Sequence, residues 1–279
     1  MKIAPACYEC LRGLICQAAD IATNDVPLRE KASKEATKIL DDEFSYNQLS
    51  IVIATRIHHV IKELTHNPDP YRTMKENEMA IAQELYPELI TRYTDDLEGY
   101  LKLAAAANAI DFFRAPELIK SDMHKPVRFV IDDSEYLKMR IKKASKILYL
   151  ADNAGEIYFD LPLLKWMEQF AQVIYVVKPS AVQNDVTLTD IKKAGLESKF
   201  GTIMDTGIAS PGIIFSLASI QFKREFASAD LIFSKGMGHY ESLSEFPRDE
   251  KIFYCLKAKC QPVAKSLGVP LNSYVAMLW

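Results

Sequence analysis

The 279-residue sequence has no apolar run that approaches the roughly 20 residues needed to cross a bilayer. Its first residues also lack the apolar core of a secretion signal, because Cys7, Glu9 and Arg12 interrupt the stretch. A formal net charge of −3 argues against broad, sequence-independent binding to nucleic acid, which needs many Lys and Arg contacts to phosphate. These absences predict a cytoplasmic protein whose partners include neither a membrane nor a nucleic acid.

Two nucleotide-binding motifs are missing too. A dinucleotide-dependent enzyme needs G-x-G-x-x-G after a strand, and Asp152-Asn-Ala-Gly-Glu156 contains a single glycine. The P-loop pattern G-x-x-x-x-G-K-[ST] is absent. A Rossmann-like methyltransferase stays open as an alternative, because its cofactor motifs are loose. A non-enzymatic protein that binds a metal or a metabolite stays open as well.

Cysteine is scarce: the sequence has five, an odd number at uneven spacing, which does not resemble the disulfide framework of a secreted protein. Cys7 and Cys10 lie one turn apart in the first predicted helix. Together with Cys260 they are candidates for a second metal site or a redox site. Alternatively, they are small fillers of a helix–helix contact, since free cysteine is often buried. Zinc needs about four ligands, and no second Cys-x-x-Cys or nearby His pair completes the set.

The pattern of apolar residues divides the chain in two. Residues 1–115 predict helices throughout, with a long helical region over 71–113 that Pro87 should break or kink. After Pro116, short β-branched runs alternate with helical stretches, which specifies a parallel sheet with helices on its faces. The predicted fold class is α/β. A Rossmann-like α/β/α catalytic domain with a mostly parallel sheet occupies residues 116–279, and an all-helical region over 1–115 forms one wall of the active site.

Polar residues follow three of the predicted strands. The run Ile147–Leu150 is followed by Asp152-Asn153, the run Val173–Val177 by Asn184-Asp185, and the run Leu231–Phe233 by Lys235-Gly236. Ligands of open parallel sheets collect outside the carboxyl ends of the strands. We therefore expect these side chains to meet at one edge.

Their chemistry indicates a phosphate site. Carboxylate and amide oxygens of Asp152, Asn153 and Asp185 suit a hard cation of the magnesium class. Lys235 would neutralise phosphoryl oxygens as a point charge, and Gly236 would allow close approach of the backbone. The alternative for Asp152 or Asn153 is a helix cap. The alternative for Glu156 is a favourable acid in the first turn of a helix.

Two further positions are candidates for substrate contacts. Asn108 and Asp111 lie three residues apart in an apolar, alanine-rich helix and point the same way, so we expect both to border the phosphate pocket. Their alternative role is hydrogen bonding at the helix end. Ser210 precedes Pro211 at the start of a helix predicted over 211–226. Free N–H groups at such a start bind anions, although a simple turn and cap explains the pattern equally well.

Several motifs in this order resemble one family. The segments Asp152-Asn-Ala-Gly-Glu156 with Asp160, Asn184-Asp-Val-Thr187 and Lys235-Gly-x-x-x-Tyr240 resemble the metal-dependent damage-control phosphatases, formerly a domain of unknown function. Cys7-x-x-Cys10 resembles the smaller, microbial branch of that family. The helical segment 107–112 is similar to another of its motifs.

The resemblance implies a divalent-metal-dependent phosphatase that uses Mg²⁺, Mn²⁺, Co²⁺ or Ni²⁺. Its substrates would be small phosphorylated metabolites, such as sugar phosphates or damaged cofactors like oxidised phosphopantetheine. Asp152, Asn153 and Asp185 would bind the metal and, with Lys235, form the catalytic set. The residues expected to contact substrate are Asn108, Asp111, Glu156, Asn184, Ser210, Gly236, Tyr240 and Glu241. The sequence leaves open whether water or Asp152 attacks phosphorus, and it does not indicate the oligomeric state.

Overall fold

The computed structural model describes residues 1–110 and 116–279, which form twelve α-helices and a seven-stranded sheet. The helices are α1 (Ala6–Ala22), α2 (Val26–Glu43), α3 (Ser50–Thr65), α4 (Arg72–Ile90), α5 (Leu97–Ala107), α6 (Pro116–Met123), α7 (Ser134–Lys143), α8 (Ile157–Met167), α9 (Leu188–Lys193), α10 (Ile220–Ser228), α11 (Met237–Leu243) and α12 (Gln261–Leu267). The strands are β1 (Phe129–Asp132), β2 (Lys146–Leu150), β3 (Gln172–Val177), β4 (Thr202–Asp205), β5 (Leu231–Lys235), β6 (Ile252–Lys257) and β7 (Tyr274–Leu278).

The sheet has the order β1-β7-β6-β5-β2-β3-β4, and neighbouring strands are parallel except for the antiparallel pair β6 and β7. The predicted α/β fold with a mostly parallel sheet and N-terminal helices is confirmed. From β2 the chain continues to β3 and β4 on one side, whereas β5 and β6 lie on the other. Such a reversal of strand order opens a crevice at the carboxyl end of the strands beside it. The crevice therefore lies directly beyond β2.

The central strands are buried on both faces, which explains their nearly continuous apolar sequences. In β2, Ile147 and Tyr149 join the core on one side of the sheet, while Leu148 and Leu150 join the core on the other. Helices α4 and α5 contribute to the first of these cores. Helices α1–α3 enclose a core of their own, built from residues such as Ile15, Ala36 and Ile57. In the described part of the chain, no helix is long and apolar enough to cross a membrane.

Some predicted elements are wrong in detail. Pro87 does not break its helix, because it lies in the final turn of α4, which continues to Ile90. The helix predicted from Pro211 begins only at Ile220, where the hydroxyl of Ser219 accepts a hydrogen bond from Phe222 N and caps α10. Strand β1 was not predicted at all. The predicted boundary between residues 115 and 116 falls at the edge of the undescribed segment.

Candidate active site

Asp152 lies in the crevice beyond β2, where the loops after β2 and β3 are held side by side. Val186 N donates a hydrogen bond to Asp152 O at 2.9 Å, and an isolated bridge pairs Asn153 with Asp185. Oδ2 of Asp152 accepts hydrogen bonds from Asn108 Nδ2 at 2.9 Å and from Asn153 Nδ2 at 3.1 Å. The sequence pattern thus brings two predicted metal ligands and Asn108 to one place.

The side-chain oxygens of three residues remain available at this point. Oδ1 of Asp152 accepts no hydrogen bond from the described residues, because both amides bind Oδ2. Asn153 uses Nδ2 for Asp152 and for Glu156 Oε1 at 2.7 Å, and its amide oxygen accepts nothing within the described chain. Oδ2 of Asp185 is buried and has no hydrogen-bond partner among the described residues; its ion-pair contact is Lys178 Nζ at 3.5 Å. Two carboxylates and one amide oxygen fit a magnesium-class cation.

The two carboxylates are costly to ionise without a cation. Burial, followed by the charges of Glu156 and Asp185, raises the pKa of Asp152 well above its ordinary value. Burial also raises the pKa of Asp185 to about 6, although Lys178 opposes the shift. Burial and like charge both disfavour the ionised form, and a bound cation would relieve both effects. This electrostatic pattern is consistent with the donor set.

Lys235 does not reach the crevice. Its ammonium is fully buried and bonds to Glu156 Oε2 at 2.6 Å, Asp160 Oδ1 at 2.7 Å and Ala104 O at 2.8 Å. The hydroxyls of Tyr149 and Tyr175 donate to the same Asp160 carboxylate at 2.7 and 2.9 Å. Burial would lower the pKa of Lys235, but Asp160 and Glu156 raise it above its ordinary value. Lys235 therefore forms a buried ion pair with Glu156 and does not make the predicted contact with phosphate.

A second buried lysine, which the sequence reading missed, backs Asp185. Lys178 Nζ donates to Gly212 O at 2.9 Å and lies 3.2 Å from His239 Nε2, besides its ion pair with Asp185. Burial and Lys178 hold the pKa of His239 well below its ordinary value. The neutral ring therefore accepts from Lys178 through Nε2 and donates through Nδ1 to Lys235 O at 2.8 Å. The signal in the sequence was the position of Lys178 directly after β3.

A cavity of about 480 Å³ opens at this crevice. The predicted site residues that line it are Asn108, Asp152, Asn153, Asn184, Asp185, Glu241, Cys7, Cys10 and Cys260. Lys259 also lines it, and its charge favours the ionised forms of Asp152 and Glu156. Sequence reading missed Lys259, although it follows the end of β6 as Asp152 follows β2. Asn184 donates its amide to the carboxylate of Glu78, at 3.1 and 3.3 Å.

Other predicted site residues lie elsewhere. Ser210 is buried and accepts a hydrogen bond from Thr55 Oγ1 at 2.9 Å, and no helix starts beside it. The ring of Tyr240 packs in the core on the side of the sheet that holds Leu148, and its hydroxyl lies 2.9 Å from Oγ of the exposed Ser266. Glu156 lies beneath the crevice, and Gly236 packs behind Asp152. Asp111 lies outside the described residues.

The three predicted cysteines share one wall of the cavity. Burial raises the pKa of the Cys7 and Cys10 thiols, and it raises the pKa of Cys260 to about 12. Across the described ranges, no group of three or more His, Cys, Asp or Glu residues is arranged to hold a metal ion. The oxygen set at the crevice contains only two such residues, because its third member is Asn153. The geometry therefore gives the cysteines no support as a metal site.

Comparison with known proteins places this arrangement in a family. The damage-control phosphatase ARMT1-like domain matches residues 3–275. The chain is 34% identical over 283 residues to a damage-control phosphatase of Pyrococcus horikoshii, covering 99% of this chain and 98% of that protein. It is 30% identical over 293 residues to a damage-control phosphatase of Archaeoglobus fulgidus, with 99% of each chain covered. The crystal structure of a DUF89 family protein from P. horikoshii superposes with a TM-score of 0.90 at 33% identity, covering 100% of this chain and 99% of that one. The chain belongs to the damage-control phosphatase ARMT1-like family.

Proposed function

We propose that this protein is a divalent-metal-dependent phosphatase that hydrolyses phosphate monoesters of small metabolites. The observation that carries the proposal is the set of three side-chain oxygens, one each from Asp152, Asn153 and Asp185, that accept no hydrogen bond from the described residues. The three residues line a cavity of about 480 Å³, which is large enough for a small metabolite. Membership of the damage-control phosphatase family supports the same reaction.

Asp152, Asn153 and Asp185 would hold the cation. A divalent cation in such a site polarises a phosphoryl oxygen and lowers the barrier to attack on phosphorus. Asn108 fixes the orientation of Asp152 by donating to Oδ2, and its own Oδ1 accepts a hydrogen bond from Lys257 N at 3.0 Å. Asn108 therefore ties the helix end after α5 to both β2 and β6.

Three lysines would compensate negative charge at this site: two are buried beside carboxylates of the protein, and one lines the cavity. Lys178 faces Asp185, and Lys235 faces Glu156, so each neutralises a carboxylate from the protein side. Lys259 lines the cavity itself, so its charge would act on phosphoryl oxygens bound there. We therefore assign to Lys259 the role that the sequence pattern predicted for Lys235.

The test is a phosphate-release assay over a panel of phosphorylated metabolites, with Mg²⁺, Mn²⁺, Co²⁺ or Ni²⁺ and with a chelator. We expect hydrolysis of at least one ester with metal, loss of hydrolysis with chelator, and recovery when metal is restored. Hydrolysis that persists in chelator would contradict the metal dependence. Transfer of a methyl group without phosphate release would instead favour the methyltransferase alternative.

A further inference from the structure

The lining of the cavity has two chemically different parts. At the crevice its walls are Asp152, Asn153, Asp185 and Lys259. Helices α1 and α3 supply aliphatic side chains to the lining. The apolar residues of these two helices that line the cavity are Ala6, Leu11, Leu14, Ile51 and Ala54. An apolar wall gives no hydrogen bonds to a polyhydroxylated ligand, whose hydroxyls would lose their partners in water on binding.

The lining also includes polar groups: Gln183, Gln261 and Met1, whose N-terminal ammonium is already bound by Glu241 O, Ser244 Oγ and the Glu245 carboxylate. Cys7, Cys10 and Cys260 line the cavity, and burial raises the pKa of all three thiols, so they are protonated at neutral pH. A protonated thiol behaves as a small, weakly polar group. Glu241 is the carboxyl on this side, and it already accepts a hydrogen bond from the Ser50 hydroxyl, which lines the cavity beside it. Burial raises the pKa of Glu241 as well.

We propose that the alcohol part of the substrate is a flexible aliphatic chain, bound against the wall formed by α1 and α3, rather than a sugar. The phosphate end of this substrate rests on the proposed function, since the crevice residues would bind it. The cavity of about 480 Å³ has room for both parts. Selectivity then comes from apolar burial: each methylene group added to the chain strengthens binding about fourfold until the wall is covered.

The test measures kcat/KM for methyl, ethyl, butyl and hexyl phosphate and for a hexose 6-phosphate, with the full chain and saturating Mn²⁺. We expect kcat/KM to rise about fourfold per methylene, and hexyl phosphate to exceed the hexose phosphate at least tenfold. A flat series, or preference for the hexose phosphate, would overturn the proposal. If turnover of every ester is too slow to follow, the binding of ethyl and hexyl phosphonate by calorimetry decides in the same way.

One substitution locates the chain in the cavity. Ala54→Leu fills part of the α3 wall, so it should reduce kcat/KM for hexyl phosphate about tenfold or more while methyl phosphate changes little. Ala227→Leu, an exposed position in α10, is the matched control and should leave both values unchanged. An Ala54→Leu effect equal for both esters would contradict the assignment of the wall. Hydrolysis without any dependence on chain length would defeat this inference alone. Length-dependent phosphonate binding without hydrolysis of any ester would defeat the proposed function instead.

Discussion

Gly236 lies directly behind the carboxylate of Asp152, and a Cβ at position 236 would stand 2.1 Å from Asp152 Oδ2. The glycine also has a φ of +78°, a left-handed conformation that side chains disfavour. We expect Gly236→Ala to displace Asp152 and to weaken Mn²⁺ binding at least about tenfold, in addition to about 1 kcal/mol of lost stability from the backbone. Calorimetric titration with Mn²⁺ and urea denaturation measure the two effects.

Gly195→Ala is the matched control for this prediction. Gly195 has a φ of +67°, but nothing lies within 4 Å of the position its Cβ would take. It should lose a similar amount of stability and keep its metal affinity. Equal metal affinities for the two variants would show that Gly236 does not position Asp152.

The two lysines should differ in what they contribute. Lys235→Met leaves Glu156 and Asp160 buried without their cation, and removing one partner of a buried pair costs about 3–5 kcal/mol of unfolding free energy. Lys259→Ala should instead lower kcat about 10²-fold, on the scale of a lost electrostatic contact to the transition state, with a smaller loss of stability. Lys265→Ala, exposed on α12, is the control for both. A stable Lys235→Met variant with strongly reduced kcat would restore the role predicted from sequence.

Metal binding should depend on pH through Asp185. Its carboxyl has a pKa of about 6 and must lose its proton before it can bind a cation. Affinity for Mn²⁺ should fall about tenfold or more per pH unit below that pKa, and deprotonation of Asp152, whose pKa burial also raises, adds to the same dependence. In the metal-free protein, the pH dependence of folding stability has the opposite sign: stability falls as pH rises. The unfolded carboxyl titrates at about 4, so ionisation of Asp185 destabilises the metal-free fold as pH rises from about 4 to about 6. Mn²⁺ affinity that is constant between pH 5 and 7 would contradict this account.

Asp152→Asn should stabilise the protein when no metal is present. The raised pKa of Asp152 means that its charge opposes folding at neutral pH, and asparagine keeps an oxygen for the amides of Asn108 and Asn153. We expect about 1–2 kcal/mol of added stability in chelator and no further gain when Mn²⁺ is added. Thermal unfolding with and without metal measures both. Asp42→Asn, at an exposed position of α2, should behave as the wild type, and a metal-induced gain retained in Asp152→Asn would speak against Asp152 as a ligand.

The crevice could be predicted because the strands and the polar residues that follow them are visible in short stretches of sequence. Buried parallel strands have continuous β-branched and aliphatic sequences, so the ends of β2 and β3 were visible in the pattern. Once the sheet is parallel, residues just beyond those ends must share an edge. Asp152, Asn153 and Asp185 lie together for that reason. The isolated β-bridge between Asn153 and Asp185 joins the two loops that carry them.

The local sequence around Lys235 could not predict where its side chain would point. Strand β5 extends two residues beyond its apolar run, so Lys235 is the last residue of the strand and not the first of the loop. The strand is buried on both faces, and its alternation does not reveal where a polar side chain finds its partners. Those partners, Glu156 and Asp160, lie on a different segment. The apolar wall from α1 and α3 was hidden for the same reason, because helix docking is set by packing between distant segments.

An anomalous difference map from a crystal of the full chain grown with Mn²⁺ would locate the bound cation. We expect one metal peak within about 2.0–2.4 Å of side-chain oxygens of Asp152, Asn153 and Asp185, which line the cavity. A peak held by Cys7, Cys10 and Cys260, or no peak at the three oxygens under saturating Mn²⁺, would contradict the proposed metal site.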